Sequence, residues 1–591
     1  MSPEQLAAIK SIVKRDGRVE DFDLKKIEDA IFQAAESVGG KDRNLANSLA
    51  VKVLEALQKK FKDKPTVDNV QDLVEKTLIE EGHARTAKAF ILFRHQKDQE
   101  REQRALIIGK ENEDANLEFS NEALKVLERR YLLRNPEGQV IETPKGMLQR
   151  VAKNIALADK YYGASKEETK KTEEEFYSLM SQLKFLPNSP TLMNAATITQ
   201  QLSSCFVLPV EDNISGIFGA LKDAALIHQR GSGTGFSFSR LRTKGDFVRS
   251  NAGVAAGPVA FIKVYDKALE AIKQGGIRPG ANMAVLKVDH PDIIRFIEAK
   301  RGTGRLKNFN LSVAVTDRFM KAVEEDREYY LTNPKTEKYV GRLKARDVFA
   351  MITQNAWKNG DPGLLFIDEI NRRHPGKHLG EIETTNQCGE APLLPYEGIV
   401  LGSLNLNKFI DTEKNDINWA ELGKTTRTAV HFLDNVIDMN SYPTKKIEEE
   451  TKRTRKFGLG VMGFADVLSK LGIKYDSEAG LEFADKLMHF VKTTAYQMSS
   501  ELAEQRGACP AWKDSDHQKS ERKMRNMTCL SVSPTGTISI LADASSGCEP
   551  FFAISFHKAV MGDTNLVYLN KTFEKIAKER GFYSAELISR I

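Results

Sequence analysis

Asn386-Gln387-Cys388-Gly389-Glu390 runs on into Ala391-Pro392-Leu393-Leu394-Pro395-Tyr396-Glu397 and then, past Gly398-Ile399-Val400, into Leu401-Gly402-Ser403-Leu404-Asn405-Leu406. This stretch sets a thiol two residues from a carboxylate and two from an amide, with a glycine beside the thiol. In an extended segment residues i, i+2 and i+4 share one face, so Asn386, Cys388 and Glu390 can converge on one small substrate. A carboxylate held beside a thiol suits proton or hydrogen-atom transfer, and the amide orients the reacting hydroxyl. Taken alone, a single cysteine is more often a small buried hydrophobe, and Glu390 reads equally well as a surface residue. The apolar run Leu401–Leu404 has counterparts in Phe206-Val207-Leu208 and Leu364-Leu365-Phe366-Ile367. Such runs alternate with helical patterns over 147–162, 173–183 and 215–228, which argues for an α/β fold with mostly parallel strands.

The chain has 591 residues, 41% hydrophobic and 28% charged, with 5 cysteines. That length allows about two to four domains, or one large core with appendages. No apolar run is long enough to span a membrane, and the start lacks a signal-peptide pattern. Five thiols exclude a disulfide scaffold, and no Cys-x-x-Cys pair offers structural zinc, so the expectation is a cytoplasmic chain with no bound metal. A net charge of +6 does not force nucleic-acid binding.

The first hundred residues read as a helical module. Asp16-Gly17 suits a tight hairpin, Asp23 an N-cap before Ile27 and Ile31, and Thr66 an N-cap after Pro65, with further helices over 46–57 and 84–93. The charged run 95–104 marks a linker, which divides the chain into residues 1–105 and 106–591. Lys14-Arg15-Asp16-Gly17 with Lys25 and Lys26 can hold a triphosphate, or can be a solvated hairpin. Pro534-Thr535-Gly536-Thr537-Ile538-Ser539 reads as an anion cradle, or as a capped helix start. Gly458-Leu459-Gly460-Val461-Met462-Gly463 matches G-x-G-x-x-G, but the polar, basic segment 451–456 precedes it instead of a hydrophobic strand. A tight helix entry with closely packed backbone accounts for these glycines, and a dinucleotide site is rejected.

Four more segments complete the pattern: Leu186-Pro187-Asn188-Ser189-Pro190-Thr191-Leu192-Met193-Asn194, Leu202-Ser203-Ser204-Cys205, Gly275-Gly276-Ile277-Arg278 and the 534–539 cradle. With the 386–406 stretch they resemble, in order over about 350 residues, the large catalytic chain of ribonucleotide reductases, most closely the adenosylcobalamin-dependent class II. Val13 to about Lys97 resembles the ATP-cone, an allosteric nucleotide-binding domain. The resemblance implies a ten-stranded α/β barrel with a central finger loop behind a small helical ATP-cone. It implies reduction of ribonucleotides to 2′-deoxyribonucleotides by thiyl-radical chemistry. Cys388 would be the radical that abstracts the ribose 3′ hydrogen, Glu390 would accept the 3′-hydroxyl proton, and Asn386 would hydrogen-bond the ribose. Cys205, on the opposite ribose face, would protonate the departing 2′ hydroxyl and become oxidised. Ser189, Ser204, Ser232 and Pro534, Thr535, Gly536, Thr537 and Ile538 would hold the substrate. Lys14, Glu20, Asp21, Phe22, Asp23, Leu24, Lys25, Lys26 and Thr66 would line the ATP or dATP site. The stretch 224–258 would be the specificity loop, with Asp212, Asn213 and Ile214 near the effector deoxynucleotide and Arg242 and Arg249 near its phosphates.

Two departures stand out. Family members pair the first reducing cysteine with a second one eleven residues after the radical cysteine, and here that position is Ile399. An apolar side chain forms no disulfide, so another thiol, an external reductant such as formate or a small thiol, or an altered function is expected. Cys509, Cys529 and Cys548 are the spare thiols and read as core residues. The family's closing strands and C-terminal redox cysteines normally follow the last residues seen here, so a second polypeptide completing the barrel is the expectation, beside a homodimer. The alternatives to a cobalamin-dependent enzyme are a class I large subunit fed by a separate small subunit, and a regulatory or degenerate paralogue.

Overall fold

The computed structural model describes residues 9, 11–14, 19–61, 64–94, 117, 119–248, 253–274, 278–302, 304–559 and 565–591. Arg249, the Asp16-Gly17 turn, the 95–104 run and residues 275–277 lie outside them. Two compact units form: Met1–Lys110 with Leu569–Ile591, and Glu111–Tyr568.

In the first unit the strands Ser11–Val13 and Val19–Asp21 pair antiparallel. Helices follow at Leu24–Glu36, Arg43–Lys60, Val67–Glu80 and 84–94. The expected caps are present: the Asp23 carboxylate accepts from Lys25 N, and Thr66 forms a capping box with Asn69. The apolar positions of each helix meet in one core that includes Ile31, Val53, Leu57, Val74 and Leu78.

Among the described residues, the second unit is built on an eight-stranded sheet. Its strands are β1 (Phe185–Pro187), β2 (Cys205–Pro209), β3 (Gly233–Ser237), β4 (Asn282–Lys287), β5 (Phe309–Val315), β6 (Gly363–Phe366), β7 (Gly398–Asn405) and β8 (Phe457–Met462). The spatial order is β6-β5-β4-β3-β2-β7-β8, with β1 also paired to β7. From β6 to β2 every pair is parallel. β7 runs antiparallel to β2 and β1 and parallel to β8, so the sheet joins two sets of strands of opposite direction. The parallel pairs need crossover connections, which helices such as Ile214–Gln229 and Pro258–Glu270 supply.

Alternation along the strands then sorts the two faces. Phe206 and Leu208 of β2, Phe236 of β3 and Leu286 of β4 point to the helix side and join Tyr265 and Ile227. Cys205 and Val207 point to the other side, where they meet Ile399 and Leu401 of β7 and Ala391 and Leu393. Met283, Val285 and Ala314 likewise meet Ile382 and Leu394. The inner face of the sheet is therefore covered by the segment 382–394, which is the finger.

The G-x-G-x-x-G match runs along β8, which is buried throughout, and its last glycine, Gly463 at φ 82°, is the N-cap of the helix Phe464–Leu471. A Cβ on Gly458 would lie 2.5 Å from Ser531 Cβ, so these glycines admit a neighbouring segment, one whose Leu530 bridges Leu459.

Candidate active site

The finger is a hairpin in which Thr384–Thr385 pairs antiparallel with Pro392–Leu393, leaving Asn386 to Ala391 as its tip. It crosses β3 in van der Waals contact. A Cβ on Gly235 would stand 1.8 Å from Thr385 O, and one on Gly233 would stand 2.5 Å from Gln387 Cδ. The Gly231-Ser232-Gly233-Thr234-Gly235 run, expected within a specificity loop, is therefore partly a buried strand whose missing side chains let the finger lie on the sheet. Residues 224–229 of that same stretch are helical.

At the tip the expected catalytic residues come together. Cys205 heads β2 and is 1% exposed. Its sulfur accepts hydrogen bonds from Asn386 Nδ2 at 3.1 Å and Gln387 Nε2 at 3.2 Å, and Ser204 Oγ lies 3.1 Å away. The Cys205 thiol donates toward Glu390 Oε1 at 4.0 Å. Burial, then the Glu390 and Cys388 charges, push the Cys205 thiol far above its ordinary value, so it is a protonated donor. Burial also raises Glu390 above the ordinary carboxylate value, and its Oε2 has no hydrogen-bond partner among the described residues. A carboxylate of raised basicity with one free oxygen is suited to take up a hydroxyl proton. Cys388 is the one exposed thiol of the five, at the very tip; Cys509 and Cys529 are buried and Cys548 half-buried.

The 534–539 segment is not a side-chain-capped helix start. Thr537 is the N-cap of the four-residue helix Ile538–Leu541, but its side chain makes no cap bond. Its hydroxyl instead accepts from Arg130 Nη1 at 3.2 Å, and Arg130 Nε is buried without a partner among the described residues. Thr535 sits at φ 53°, and its hydroxyl accepts from Gly547 N at 2.8 Å. Ser189 opens the helix Ser189–Asn194 and lies 2.8 Å from Tyr131 Oη. Ser232, 2% exposed, donates to Ser203 O at 2.7 Å. Sequence reading missed Arg130, Tyr131 and Gln387. Their signal is tertiary, because the first two are more than fifty residues from the serine and threonine they meet.

In the other unit a cavity of about 280 Å³ is lined by Lys14, Glu20, Asp21, Phe22, Asp23 and Lys26, joined by Gln71, Phe90, Phe93 and Arg94. Leu24, Lys25 and Thr66 are not in its wall; Leu24 packs on the core and Thr66 caps its helix. Of the expected specificity residues, Arg242 Nε binds the Asp212 carboxylate at 2.8 Å, Asn213 caps Ile214–Gln229, and Ile214 is exposed. Arg242 and Asp212 thus satisfy each other. Among the described residues no group of acidic, histidine and cysteine side chains could hold a metal, and no helix is long and apolar enough to cross a membrane.

Comparison with known proteins agrees with this geometry. Residues 203–591 match the family model "Ribonucleotide reductase, barrel domain", 117–200 match "Ribonucleotide reductase, all-alpha domain", and 10–99 match "ATP cone domain". The all-alpha segment was not separated from the barrel by sequence reading. The chain is 44% identical to the vitamin B12-dependent ribonucleoside-diphosphate reductase of Thermoplasma acidophilum, over 99% of this chain and 83% of the relative. A reductase of the same description from Mycobacterium tuberculosis is 43% identical over 98% and 82%. The ribonucleoside-diphosphate reductase subunit alpha of Helicobacter pylori is 26% identical over 92% and 86%. With an inward finger, a thiol at its tip and a second thiol on the strand beneath it, the chain belongs to the ribonucleotide reductase family, as a large chain carrying an ATP cone.

Proposed function

We propose that this chain reduces ribonucleoside diphosphates to 2′-deoxyribonucleotides. The observation that carries the reading is the convergence of Cys205, Asn386 and Glu390 beneath the exposed Cys388. Cys388, as a thiyl, takes the 3′ hydrogen, Glu390 takes the 3′-hydroxyl proton, and the Asn386 amide holds the ribose. Cys205 protonates the 2′ hydroxyl, which leaves as water. Ile399 carries no thiol, so the second reducing equivalent comes from a donor outside the chain. Arg130, Thr537 and Ser189 meet the phosphates. Turnover assayed on a ribonucleoside diphosphate with Cys388→Ser decides the reading: product should vanish while ATP still binds the cone. Product formation at the wild-type rate would refute the thiyl assignment, and absence of product from the wild type under every donor favours a nucleotide-sensing paralogue.

Adenosylcobalamin fits as radical source, because Cys388 is exposed at the finger tip and a bulky group can reach its sulfur. When bound, that cofactor supplies the radical; the chain's part is to present Cys388. Support comes from the two B12-dependent relatives above 40% identity, against the subunit alpha relative at 26%. Effector-dependent cobalt–carbon cleavage without a small subunit is the expected result, and activity that demands a small subunit instead overturns it.

The cavity of the 1–105 domain takes ATP or dATP, and Asp212 and Arg242 belong to a second effector site in the 106–591 domain. Ile214 and Phe218, on one helix, and Val264, on the helix packed beside it, are exposed by 64%, 47% and 41%. That apolar patch supports a homodimer through these helices. Sedimentation at twice the 66.2 kDa chain mass, lost in Phe218→Asp, is expected; a monomer that turns over by itself removes both the dimer and the second-polypeptide expectation.

A further inference from the structure

On the reading that Cys205 is the thiol facing the ribose, we infer that Gln387 is a positioning residue, its carboxamide holding the Cys205 sulfur so that the thiol hydrogen faces Glu390 and the substrate. Gln387 stands between two of the proposed catalytic residues, Asn386 and Cys388, yet its side chain turns down and is buried, at 8% exposure. Its Nε2 meets Cys205 Sγ at 3.2 Å, beside Asn386 Nδ2 at 3.1 Å. An amide nitrogen only donates, so the sulfur accepts from both. Its own hydrogen is thereby turned away from the amides, toward Ser204 Oγ at 3.1 Å and Glu390 Oε1 at 4.0 Å.

The place of Gln387 is prepared by the fold. Gly233 has no side chain where a Cβ would come within 2.5 Å of Gln387 Cδ. Asn310 Nδ2 donates to Gln387 O at 2.8 Å and fixes the backbone at that point. Across from Cys205 stands Ile399, which offers the sulfur no polar contact. The two finger amides and Ser204 are therefore the groups that orient it. Gln387 Oε1 is buried without a partner among the described residues, which leaves an acceptor beside the sulfur for a substrate or water hydroxyl. No covalent step is asked of Gln387. The proton that leaves Cys205 goes to the departing 2′ hydroxyl, and the amide only aims it.

The test uses the full chain with adenosylcobalamin, an effector nucleotide and a dithiol donor, in Gln387→Met and Gln387→Glu. Methionine keeps the volume over Gly233 and cannot donate; kcat should fall by about 10- to 100-fold with KM for the ribonucleotide within about twofold, the pattern of a group that acts on the reaction rather than on binding. Glutamate cannot donate when ionised, so Gln387→Glu should be as slow at neutral pH, and its kcat as a fraction of the wild-type kcat at the same pH should rise as pH falls, when its protonated carboxyl donates to the sulfur again; taking that ratio removes the Glu390 limb, which both enzymes share. Gln387→Met should show no such recovery. Glu390 and Cys388 are the titratable groups facing Cys205, and both variants retain them.

A second readout needs no turnover. In a Cys388→Ser background, iodoacetamide alkylation of Cys205, followed by peptide mass spectrometry at fixed pH, should slow about five- to tenfold in Gln387→Met, because the thiolate loses a donor. Unchanged alkylation with unchanged kcat overturns the inference. Slowed alkylation in a chain that makes no product under any condition leaves Gln387 as the residue that orients Cys205 and removes the reductase reading instead. If Gln387→Met fails to fold, the pH recovery of Gln387→Glu decides, and its absence counts against the inference.

Discussion

Ile399 is the cross-strand partner of Cys205: β7 and β2 run antiparallel with these two residues in register, and both side chains enter the same small apolar cluster. The missing second thiol of the family pattern is therefore a missing thiol at the one backbone position directly opposite Cys205. Directly opposed antiparallel residues have Cα atoms about 4.5–5.5 Å apart, within the range a disulfide spans. Ile399→Cys should form a disulfide with Cys205 on mild oxidation, read by mass spectrometry of the non-reduced peptide, and should raise turnover with thioredoxin as donor. The lost apolar volume should cost about 1–3 kcal/mol in denaturant unfolding. An introduced thiol that stays reduced would contradict the register-based account.

Glu390 is held above the ordinary carboxylate value by burial, and the base role proposed for it requires the deprotonated form. The acid limb of kcat/KM should therefore lie above the pH at which an exposed glutamate titrates, with activity lost as pH falls through it. Glu390→Gln should remove that limb and lower kcat by about 10²–10⁴-fold. A pH profile that is unchanged in this variant assigns the limb to another group.

Gly235→Ala tests the finger crossing. The added Cβ would overlap Thr385 O, which is backbone and cannot rotate away. The finger must lift, so product formation should drop by at least about tenfold at a folding cost of about 1–3 kcal/mol. ATP binding to the cone should be unaffected, and thermal unfolding with and without ATP separates the two effects.

Arg130→Ala removes the guanidinium bonded to Thr537; on the proposed reading this takes a charge-assisted contact worth about 1.5–3 kcal/mol from the phosphates. KM for the substrate should rise about 10- to 100-fold with kcat nearly unchanged. An unaltered KM would mean that the phosphates lie elsewhere.

Asp434 has no exposed surface and is bonded by Arg455, Arg506 and Arg525. Burial alone would raise its pKa; the Arg455, Arg525 and Arg506 charges outweigh that and hold the carboxyl well below the usual range. A depressed folded-state value adds stability that is fully present above the unfolded carboxylate pKa and is lost as pH falls through the folded one. Unfolding free energy should thus decline below about pH 4, less steeply in Asp434→Asn. Asp434→Ala takes a shared carboxylate from three buried guanidiniums, of which Arg455 keeps Asp438, Arg506 keeps Asp159 and Arg525 keeps two backbone carbonyls, and should cost about 3–5 kcal/mol in urea unfolding.

How far the sequence could be read depends on the range of the interaction concerned. Helix caps are local, so Asp23 and Thr66 are legible and present, and the alternation of apolar runs with helical patterns gives the mostly parallel α/β sheet, though not the antiparallel join at β7. The finger motif names Asn386, Cys388 and Glu390 because one extended segment carries all three. The packing role of Gly233 and Gly235 is not legible in the sequence, because its reason, a hairpin 150 residues later lying on β3, leaves no mark within ten residues of them. Arg130 was missed for the same cause, since a helix-end arginine looks solvated until the 534–538 segment is seen beside it.

By itself, then, the sequence determined the family, the α/β class, the identity of the thiols and the absence of a second cysteine at position 399. These are properties of residue type and order. Only the tertiary structure decided that Ile399 faces Cys205, that Gln387 and Asn386 both bond its sulfur, and that Glu390 retains a free oxygen beside it. Strand register and finger docking set those relations, and both arise from packing between segments nearly two hundred residues apart.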